Sequence, residues 1–417
     1  MLNSTILNNT PRILYIDMAY TINMIQERGL DQELVARECG GYFDHVWGVH
    51  PIADIPENKP LKYDGFRVNT MEFSPSQTLI EGSSEYYSLF KKIFPLNFLI
   101  SQIRFVTYLV KLIKRERIDI VMTTDPHFSG LMGLLLKWFT KAKFAIWVVA
   151  NNDDIYKATG VSAMPRLFKK RWVEKIVERI TFNGADLVAG GNQNNLEFAL
   201  GNGAKISKST VFPVGKLIHR QHQVEKHLRQ KDEFFESSKA NYHFIYVGRL
   251  VNIKHPDDVI RAFAEINGVI PNCALIMAGD GPMIEELEAI AEKLGVKQQV
   301  TFLGNISQTR LAKVFAGCFT VLSPLTGRSL IESALAGLPI VAYDRDWQAE
   351  FVGKHGAGVI VPYRDWEEMG RAALKIVQDP EAAKQMADAS RRAGMEACDI
   401  EKMYAHEKRE FEKLLRS

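Results

Sequence analysis

The chain has 417 residues, of which 46% are hydrophobic and 24% charged, and its formal net charge is +3. At roughly 150 residues per domain this length predicts two or three domains, and the composition excludes wholesale disorder as well as collagen-like and coiled-coil rods. The longest apolar stretches, such as residues 144–150, are far shorter than the roughly 20 residues that cross a membrane as a helix.

The first half of the chain alternates β-rich runs with amphipathic helical patterns. Helices are predicted at residues 127–140 and 165–183. Strands are predicted at residues 12–17, 44–49, 118–124, 143–149 and 185–190. Strands that alternate with helices predict a parallel sheet with helical crossovers.

The amino end and the cysteines indicate a cytoplasmic protein. Residues 1–10 contain neither a basic region nor an apolar core, so they do not resemble a secretory signal. The four cysteines lie far apart and form no Cys-x-x-Cys pair. This spacing argues against a disulfide framework or a zinc site and is typical of a reducing compartment.

Basic residues concentrate in the middle of the chain. Residues 91–217 carry 20 Lys and Arg against 9 Asp and Glu, whereas residues 1–90 carry 6 against 12. In residues 109–115 and 165–172 these charges alternate with apolar side chains. Such segments lie on an anionic membrane surface, attract an acidic substrate, or form a solvated helix face. No nucleic-acid-binding motif is present, so no nucleic-acid partner is predicted.

The second half repeats the pattern after a polar segment, residues 218–240, which we interpret as a linker. Helices are predicted from Pro256, at residues 283–294 and at residues 400–416. Strands are predicted at residues 242–247, 273–278, 300–303, 318–322, 339–342 and 359–361.

The predicted fold class is therefore α/β, with two doubly wound Rossmann-like domains that face each other across a cleft. We expect the domains at residues 1–217 and 241–395, with residues 396–417 free to pack elsewhere. Ligands of such sheets bind beyond the carboxyl ends of the strands.

The loop after the first strand of the second domain carries two cations. Arg249 and Lys254 follow Gly248 closely enough to converge on one polyanion, although two solvated surface charges explain the same loop. Another strand is followed by Gly-Asp-Gly-Pro at residues 279–282. Its glycines permit close backbone approach, but a plain turn into a helix has the same composition.

A third loop, residues 323–332, runs into a helix. Its Thr-Gly turn predicts an anion site made by the first backbone N–H groups of that helix. Ser329 and Glu332 also match a capping box, in which the glutamate only satisfies the helix start. A fourth loop, residues 343–350, is polar and has no signature of its own. No GxGxxG, Walker A or Gly-x-Ser-x-Gly sequence is present, so dehydrogenase, P-loop and serine-hydrolase chemistry are poorly supported.

Taken in order, these motifs resemble a known family. Gly-Arg-Leu-(x)3-Lys at 248–254, Gly-Asp-Gly-Pro at 279–282, Phe-Leu-Gly at 302–304 and Glu-(x)4-Gly-Leu-Pro at 332–339 are similar to the donor domain of family 4 (group 1) retaining glycosyltransferases of GT-B fold. Between residues 243 and 392 the spacings of several motifs agree with the family pattern at once. The first half of the chain matches the family only in the arrangement of its predicted strands and helices.

The resemblance implies a nucleoside-diphosphate sugar as donor. Arg249 and Lys254 would hold the diphosphate and stabilise its growing negative charge without a metal cofactor. Glu332 would hydrogen-bond the ribose hydroxyls. The backbone of the third loop would contact phosphate and sugar, through Thr326, Gly327, Arg328, Ser329 and Leu330. The other implied binding residues are Gly248, Gly279, Asp280, Gly281, Pro282 and Ser323.

The chain departs from the family pattern at several positions. Pro324 stands where a second glutamate usually contacts the donor sugar, and Asn151 where many members have a histidine. The glycine-rich loop after the first strand is replaced by the sequence Asp-Met-Ala-Tyr-Thr at residues 17–21.

Two polar residues after strands of the first domain are candidates for acceptor-side catalysis. His127 and Asp153 could orient or deprotonate the attacking hydroxyl. Alternatively, His127 packs locally at a helix start, and Asp153 is an N-cap or turn residue.

We therefore expect a retaining glycosyltransferase that moves a sugar to an acceptor hydroxyl in cell-surface polysaccharide or glycolipid synthesis. The expected acceptor is a glycan or a lipid-linked glycan, with an anionic membrane surface as a further partner on the cytoplasmic side. The family also suggests that the terminal helix returns to the first domain. Two alternatives remain: a non-catalytic nucleotide-sugar-binding scaffold for another transferase, and a GT-B sugar-nucleotide epimerase.

Overall fold

The computed structural model describes residues 10–28, 34–53, 68–83, 94–165, 167–218, 220–224, 230–325 and 327–417. The chain divides into two compact units, Met1–Val214 with Ile400–Ser417, and Gly215–Asp399. We call them the first and the second domain. The prediction of no secretory signal rests almost entirely on residues 1–9, which lie outside the described residues, as does Thr326.

The first domain is built on a mainly parallel sheet. Its strands are β1 (Arg12–Ile16), β2 (His45–Ala53), β3 (Val68–Ser74), β4 (Gln77–Ser83), β5 (Ile120–Thr123), β6 (Lys143–Val148), β7 (Leu187–Gly190) and β8 (Ser209–Val211). Their spatial order is β3-β4-β2-β1-β5-β6-β7-β8. Neighbouring strands are parallel except β3 and β4, which form an antiparallel pair at one edge.

Helices follow the strands as β-α crossovers require. They are α1 (Ile22–Arg28), α2 (Phe94–Glu116), α3 (Phe128–Phe139), α4 (Asn152–Thr159), α5 (Arg171–Gly184) and α6 (Gln193–Gly201). Leu14, Val121 and Phe144 are paired in register across β1, β5 and β6, so their side chains lie on one face of the sheet. They are buried in apolar clusters with side chains of α2, α3 and α5, which therefore cover that face.

The second domain has a fully parallel sheet. Its strands are β9 (Tyr242–Val247), β10 (Cys273–Ala278), β11 (Val300–Gly304), β12 (Thr320–Ser323), β13 (Ile340–Tyr343) and β14 (Gly358–Val361), in the order β11-β10-β9-β12-β13-β14. Its helices are α7 (Phe234–Ser237), α8 (Pro256–Val269), α9 (Ile284–Lys293), α10 (Gln308–Gly317), α11 (Ser329–Leu335), α12 (Asp346–His355), α13 (Trp366–Gln378) and α14 (Pro380–Ala397).

Both faces of the second sheet are covered by helices. Phe244 of β9 is buried with side chains of α8 and α13, whereas the next residue, Ile245, is buried with side chains of α10 and α11. Strands buried on both faces read as continuous apolar runs. The domain is therefore doubly wound, as the alternating pattern predicts.

The domain boundaries differ from the predicted ones. The segment 218–240, interpreted above as a linker, belongs to the second domain. Within it, His222 bonds Gln308 at 2.8 Å, and Asp232 pairs with Arg310 at 3.0 Å. Phe234 and Phe235 also pack against an apolar cluster of that domain. The mainly polar composition of the segment hides this attachment, because much of it consists of hydrogen bonds and ion pairs.

The last helix, α15 (Ile400–Arg416), belongs to the first domain. Its Phe411 is buried, with its ring centroid 5.1 Å from that of Phe43 and 5.4 Å from that of Phe212. The Thr210 hydroxyl also bonds the His406 ring at 2.9 Å. The chain therefore ends in the domain in which it begins.

Within the described residues, one helix is long and apolar enough to cross a membrane by length and composition, Leu96–Glu116 in α2. This differs from the expectation drawn from uninterrupted apolar stretches, because scattered charges such as Arg104 and Lys111 interrupt the apolar residues of α2. Phe105 and Leu109 of α2 are fully buried against the first sheet. In this structure α2 is a core helix of the first domain.

Candidate functional site

The order of strands in the second sheet reverses at one point. From β9 the chain moves to β10 and β11 on one side, then returns to β12 on the other side. The loops after β9 and β12 therefore leave the same edge in opposite directions, and open α/β sheets bind ligands in that crevice. These are the first and third loops selected from the sequence.

The loop after β9 places its two cations side by side. Arg249 is exposed, and its carbonyl oxygen accepts a bond of 3.0 Å from the Tyr246 hydroxyl. Lys254 ends a single 3-10 turn, Asn252–Lys254. Burial, and next the charge of Arg249, lower the pKa of the Lys254 ammonium, while Asp346 opposes the shift. Two cations that repel each other, at the switch point where the order of the strands reverses, form a suitable site for a polyanion.

The glycines of Gly-Asp-Gly-Pro serve close packing between two loops. Gly279 has a φ of 149°, and a Cβ there would collide with the carbonyl oxygen of Gly248. A Cβ on Gly281 would collide with the backbone of Leu250, whose N–H donates to the carbonyl oxygen of Asp280 at 2.9 Å. The two glycines therefore let the loop after β10 pack directly against the loop that carries Arg249 and Lys254.

Asp280 and Pro282 complete this second loop. Both are exposed, and the Gly281 N–H donates to the Asp280 carboxylate at 2.7 Å. Their predicted contact with a ligand remains a prediction.

The loop after β12 lies against the end of β9. The hydroxyl of Ser329, the first residue of α11, donates to the carbonyl oxygen of Val247 at 3.0 Å. Gly327 is exposed with open space around it, whereas Ser323 and Leu330 are buried. This bond places the loop after β12 next to the loop after β9, which carries Arg249 and Lys254. Thr326, a predicted contact, lies outside the described residues.

The predicted capping box does not form. The residue before α11 is Arg328, which makes no side-chain capping bond, and Ser329 bonds β9 instead. Glu332 is nevertheless 6% exposed. The Ser329 half of the predicted box is therefore absent, and the ribose contact of Glu332 that the resemblance implies remains a prediction.

A residue that the sequence did not indicate holds Pro324 in place. The Gln348 amide donates to the carbonyl oxygen of Pro324 at 2.6 Å and to that of Tyr343 at 3.3 Å. Gln348 is 1% exposed and links the loop after β12 to the loop after β13. No local pattern marks it, since the bond joins segments 24 residues apart.

The acceptor-side candidates of the first domain lie in a buried ionic network. His127 is 1% exposed, and its Nε2 lies 2.9 Å from the Glu178 carboxylate. Arg171 pairs with the same carboxylate at 2.6 Å and with Asp153 at 3.0 Å. Arg171 also pairs with Glu174 at 3.2 Å. The network connects α3, α4 and α5.

These contacts give both candidates structural partners, although the N-cap of α4 is Asn151 and not Asp153. Burial alone would raise the pKa of Asp153, but hydrogen bonds from Asn202, Lys175 and Arg171 lower it. A lower pKa makes the carboxylate a weaker base. His127 has almost no surface with which to meet a hydroxyl.

The first sheet has its own switch point, between β1 and β5. Asp17 follows β1, pairs with Arg37 at 2.6 Å and accepts a bond from the Thr124 hydroxyl, which follows β5, at 3.2 Å. The ring of His50 lies 3.2 Å from the carbonyl oxygen of Met18 in the same region. The sequence analysis did not select these residues, although Asp17 and Thr124 are the last residues of two predicted strands.

Metal binding has no visible basis among the residues that the structure describes. No group of three or more His, Cys, Asp and Glu side chains converges there. The four cysteines are buried, and none of them forms a disulfide.

Residues 229–393 match the family model of glycosyl transferases group 1. An uncharacterized glycosyltransferase of Methanocaldococcus jannaschii is 24% identical over 57% of this chain and 58% of its own length. A GDP-mannose-dependent alpha-(1-6)-phosphatidylinositol monomannoside mannosyltransferase of Mycolicibacterium smegmatis is 32% identical over 35% of this chain and 41% of its own length. The chain thus spans about half the length of these curated relatives.

Solved structures resemble the whole chain. Sucrose-phosphate synthase of Thermosynechococcus elongatus has a TM-score of 0.73 at 18% identity, covering 97% of this chain and 99% of its own. Anabaena HepE in complex with UDP-glucose has a TM-score of 0.66 at 16% identity, covering 95% and 97%. These likenesses confirm the predicted fold class, GT-B with two Rossmann-like domains.

Proposed function

We propose that this protein is a group 1 glycosyltransferase that transfers a sugar from a nucleoside-diphosphate sugar to an acceptor hydroxyl. The observation that carries the proposal is the meeting of two loops at the second switch point. There, the Ser329 hydroxyl ties the start of α11 to Val247 at the end of β9, two residues before Arg249, and the charge of Arg249 acts on Lys254.

The proposed chemistry follows from charge. Breaking the bond between sugar and diphosphate leaves negative charge on the departing phosphate oxygen. Cations already in place bind that charge more strongly in the transition state than in the substrate, which speeds the reaction. Arg249 and Lys254 supply two such cations without a metal. Glu332 is proposed to bind the ribose hydroxyls, and retention of configuration follows from the family resemblance.

The acceptor side is proposed to be a glycan or lipid-linked glycan in cell-surface polysaccharide or glycolipid synthesis. The name of the mycobacterial relative, which acts on a phosphatidylinositol mannoside, supports this class. The polar group of Asp17, Arg37 and Thr124 at the first switch point suits a ligand rich in hydroxyls. A cytoplasmic location remains the accompanying prediction.

Nucleotide binding tests the donor site directly. We expect one of UDP, GDP or ADP to raise the thermal unfolding midpoint, because a ligand at 100 times its Kd stabilises by about 2.7 kcal/mol. Arg249→Ala or Lys254→Ala should remove most of this shift, and EDTA should leave it unchanged. Lys293→Ala is the matched control, since this exposed lysine lies at the far end of α9. A shift that both site variants retain would contradict the proposal.

A second function is favoured by the loop after β12. Pro324 occupies the position of a donor-contacting glutamate, and Gln348 holds it there. In this second function the chain binds a nucleotide sugar without using it and acts as a scaffold for another transferase. Release of free sugar from a bound UDP- or GDP-sugar distinguishes the two functions. Binding without any hydrolysis or transfer supports the scaffold.

A further inference from the structure

Helices α2, α3 and α5 form one layer on the first sheet. All three bury side chains against the same face of that sheet. Phe98 of α2 meets Phe128 of α3 with ring centroids 5.8 Å apart. Lys137 of α3 donates to the carbonyl oxygen of Gly184, the last residue of α5, at 2.9 Å. The side of the layer that faces away from the sheet is therefore one surface of three adjacent helices.

Large apolar side chains are exposed on this layer. Trp172, Ile176 and Ile180 of α5 recur every four residues, so they form a single stripe. Their exposed fractions are 61%, 50% and 48%. At the end of α3, Trp138 is 67% exposed and Phe139 58%. Further exposed apolar residues of the layer are Leu96, Leu99, Ile103 and Leu135. Grouped apolar side chains of this size mark an interaction surface, whereas single ones do not.

The charges exposed beside these residues are almost all positive. Residues 94–115 contain no Asp or Glu, and α3 contains none either. The acidic residues of α5, Glu174 and Glu178, are both fully buried in the ionic network with Arg171. The exceptions are Glu116, at the end of α2, and two carboxylates that pair with lysines of the layer, Asp153 with Lys175 at 3.1 Å and Asp186 with Lys137 at 2.8 Å. The exposed basic residues are Arg104, Lys111, Lys114, Arg115, Lys141, Lys169, Lys170, Lys175 and Arg179.

We propose that this layer docks on the surface of an anionic lipid bilayer. The docking surface comprises Leu99, Ile103, Trp138, Phe139, Trp172, Ile176 and Ile180 with the basic residues around them. Tryptophan is enriched at the boundary between headgroups and acyl chains, because its ring is apolar and its N–H is polar. Lys and Arg bind anionic headgroups while apolar neighbours enter the boundary region.

The structure favours docking on the bilayer over crossing it. Phe105 and Leu109 of α2 are fully buried in the core of the first domain. A spanning α2 would have to leave that core, and its burial would be lost.

The charge also argues against a second copy of this chain as the occupant. Interfaces between proteins have cores depleted of charge, and two copies of this surface would oppose cations with cations. An anionic bilayer supplies the complementary charge. The proposal rests on the first domain alone and does not depend on the proposed glycosyl transfer.

Vesicle sedimentation with the full chain tests the proposal. The probes are vesicles of phosphatidylcholine alone and vesicles of phosphatidylcholine mixed with phosphatidylglycerol, at low and high salt. We expect binding to the mixed vesicles at low salt, weakened by salt, and a blue shift of tryptophan fluorescence on binding. The double variant Ile176→Glu/Ile180→Glu should lower the partition by about tenfold or more, because two carboxylates then face the anionic surface.

Val269→Glu is the matched control, since Val269 is 59% exposed at the end of α8 in the second domain. It should bind vesicles as the wild type does. An unchanged thermal unfolding midpoint of the double variant shows that it is folded, and the nucleotide-induced shift reports the donor site separately. Equal binding by the double variant and the wild type would overturn the proposal. Failure of the wild type to sediment with mixed vesicles at low salt would overturn it too. If the wild type instead forms dimers that the double variant does not, the surface joins two copies and the lipid proposal is wrong.

Discussion

At the scale of single residues, the charged groups of this protein fall into two kinds. Arg249 and Lys254 stand just after a strand, where burial, and next the charge of Arg249, lower the pKa of the Lys254 ammonium. In the first domain, by contrast, Arg171 is surrounded by Asp153, Glu174 and Glu178. The two cations suit an incoming anion, whereas the positive charge of Arg171 is already balanced by the carboxylates around it.

The buried network should be important for stability. Replacing Glu178 by Gln leaves Arg171 and His127 without their shared carboxylate. Removing one partner of a buried pair costs on the order of 3 kcal/mol. We expect a loss of that size in the free energy of unfolding of the first domain, measured in urea at neutral pH. The exposed Lys175→Ala should change it by less than about 1 kcal/mol.

The same residue should set part of the acid sensitivity. Burial would raise the pKa of Glu178, but bonds from His127 and Arg171 lower it below its ordinary 4.5. Its stabilising effect is therefore complete above the unfolded pKa and is lost as the pH falls through the lower folded pKa. We expect the unfolding free energy of the wild type to fall more steeply below about pH 4.5 than that of Glu178→Gln. Parallel acid profiles would show that Glu178 gains nothing from its partners.

At the scale of elements, the candidate donor site depends on how closely its loops pack. The Gly279–Gly281 backbone lies directly on that of Gly248 and Leu250, and the Ser329 hydroxyl joins α11 to β9. The candidate side chains are thus held by backbone packing between the loops after β9 and β10 and by the Ser329 bond from the loop after β12.

Adding one methyl group should disturb that arrangement. Gly279→Ala combines a disfavoured φ of 149° with a clash against Gly248, so we expect a loss of about 1–3 kcal/mol and weaker nucleotide binding. Gly353→Ala in α12 meets open space and should be neutral or stabilise by up to about 1 kcal/mol. Urea unfolding and nucleotide thermal shifts measure both effects. Equal stability of the two variants would contradict the packing explanation.

At the scale of the whole molecule, the chain leaves the first domain at Val214 and returns to it at Ile400. Phe411 of the returning helix is 2% exposed, and its ring packs against Phe43 and Phe212. The stability of the first domain therefore depends on residues that follow the second domain in sequence.

Shortening the side chain of Phe411 should destabilise the first domain and leave the second domain unaffected. Phe411→Ala removes a buried ring, and such changes cost about 3–5 kcal/mol. We expect an earlier unfolding transition of the first domain, while the nucleotide-induced shift of the second domain persists. Phe411→Leu fills most of the space and should cost less than half as much. An unchanged transition in Phe411→Ala would mean that α15 contributes little to the first domain.

Local patterns were sufficient for much of the architecture. Eleven strands read from apolar runs are present, because parallel strands buried on both faces cannot contain many polar residues. The missed strands β3, β4 and β8 lie toward the edges of the first sheet, where polar residues are tolerated and the apolar signal fades. Helix α2 was missed for a related reason, since its exposed side is itself largely apolar or basic.

The two cations of the loop after β9 and the glycines that pack against it could also be predicted from the sequence, because each motif lies within a few consecutive residues. The bonds of Glu178 to His127, of Asp17 to Arg37 and of Gln348 to Pro324 were not, because they join residues 20 or more positions apart. Such contacts form only when the order of the strands and the packing of the helices bring distant loops together. The local pattern of apolar and polar residues therefore does not predict them. Whether a polar side chain after a strand meets solvent, as Arg249 does, or an opposite charge, as Asp153 does, is therefore settled by the folded arrangement of distant segments.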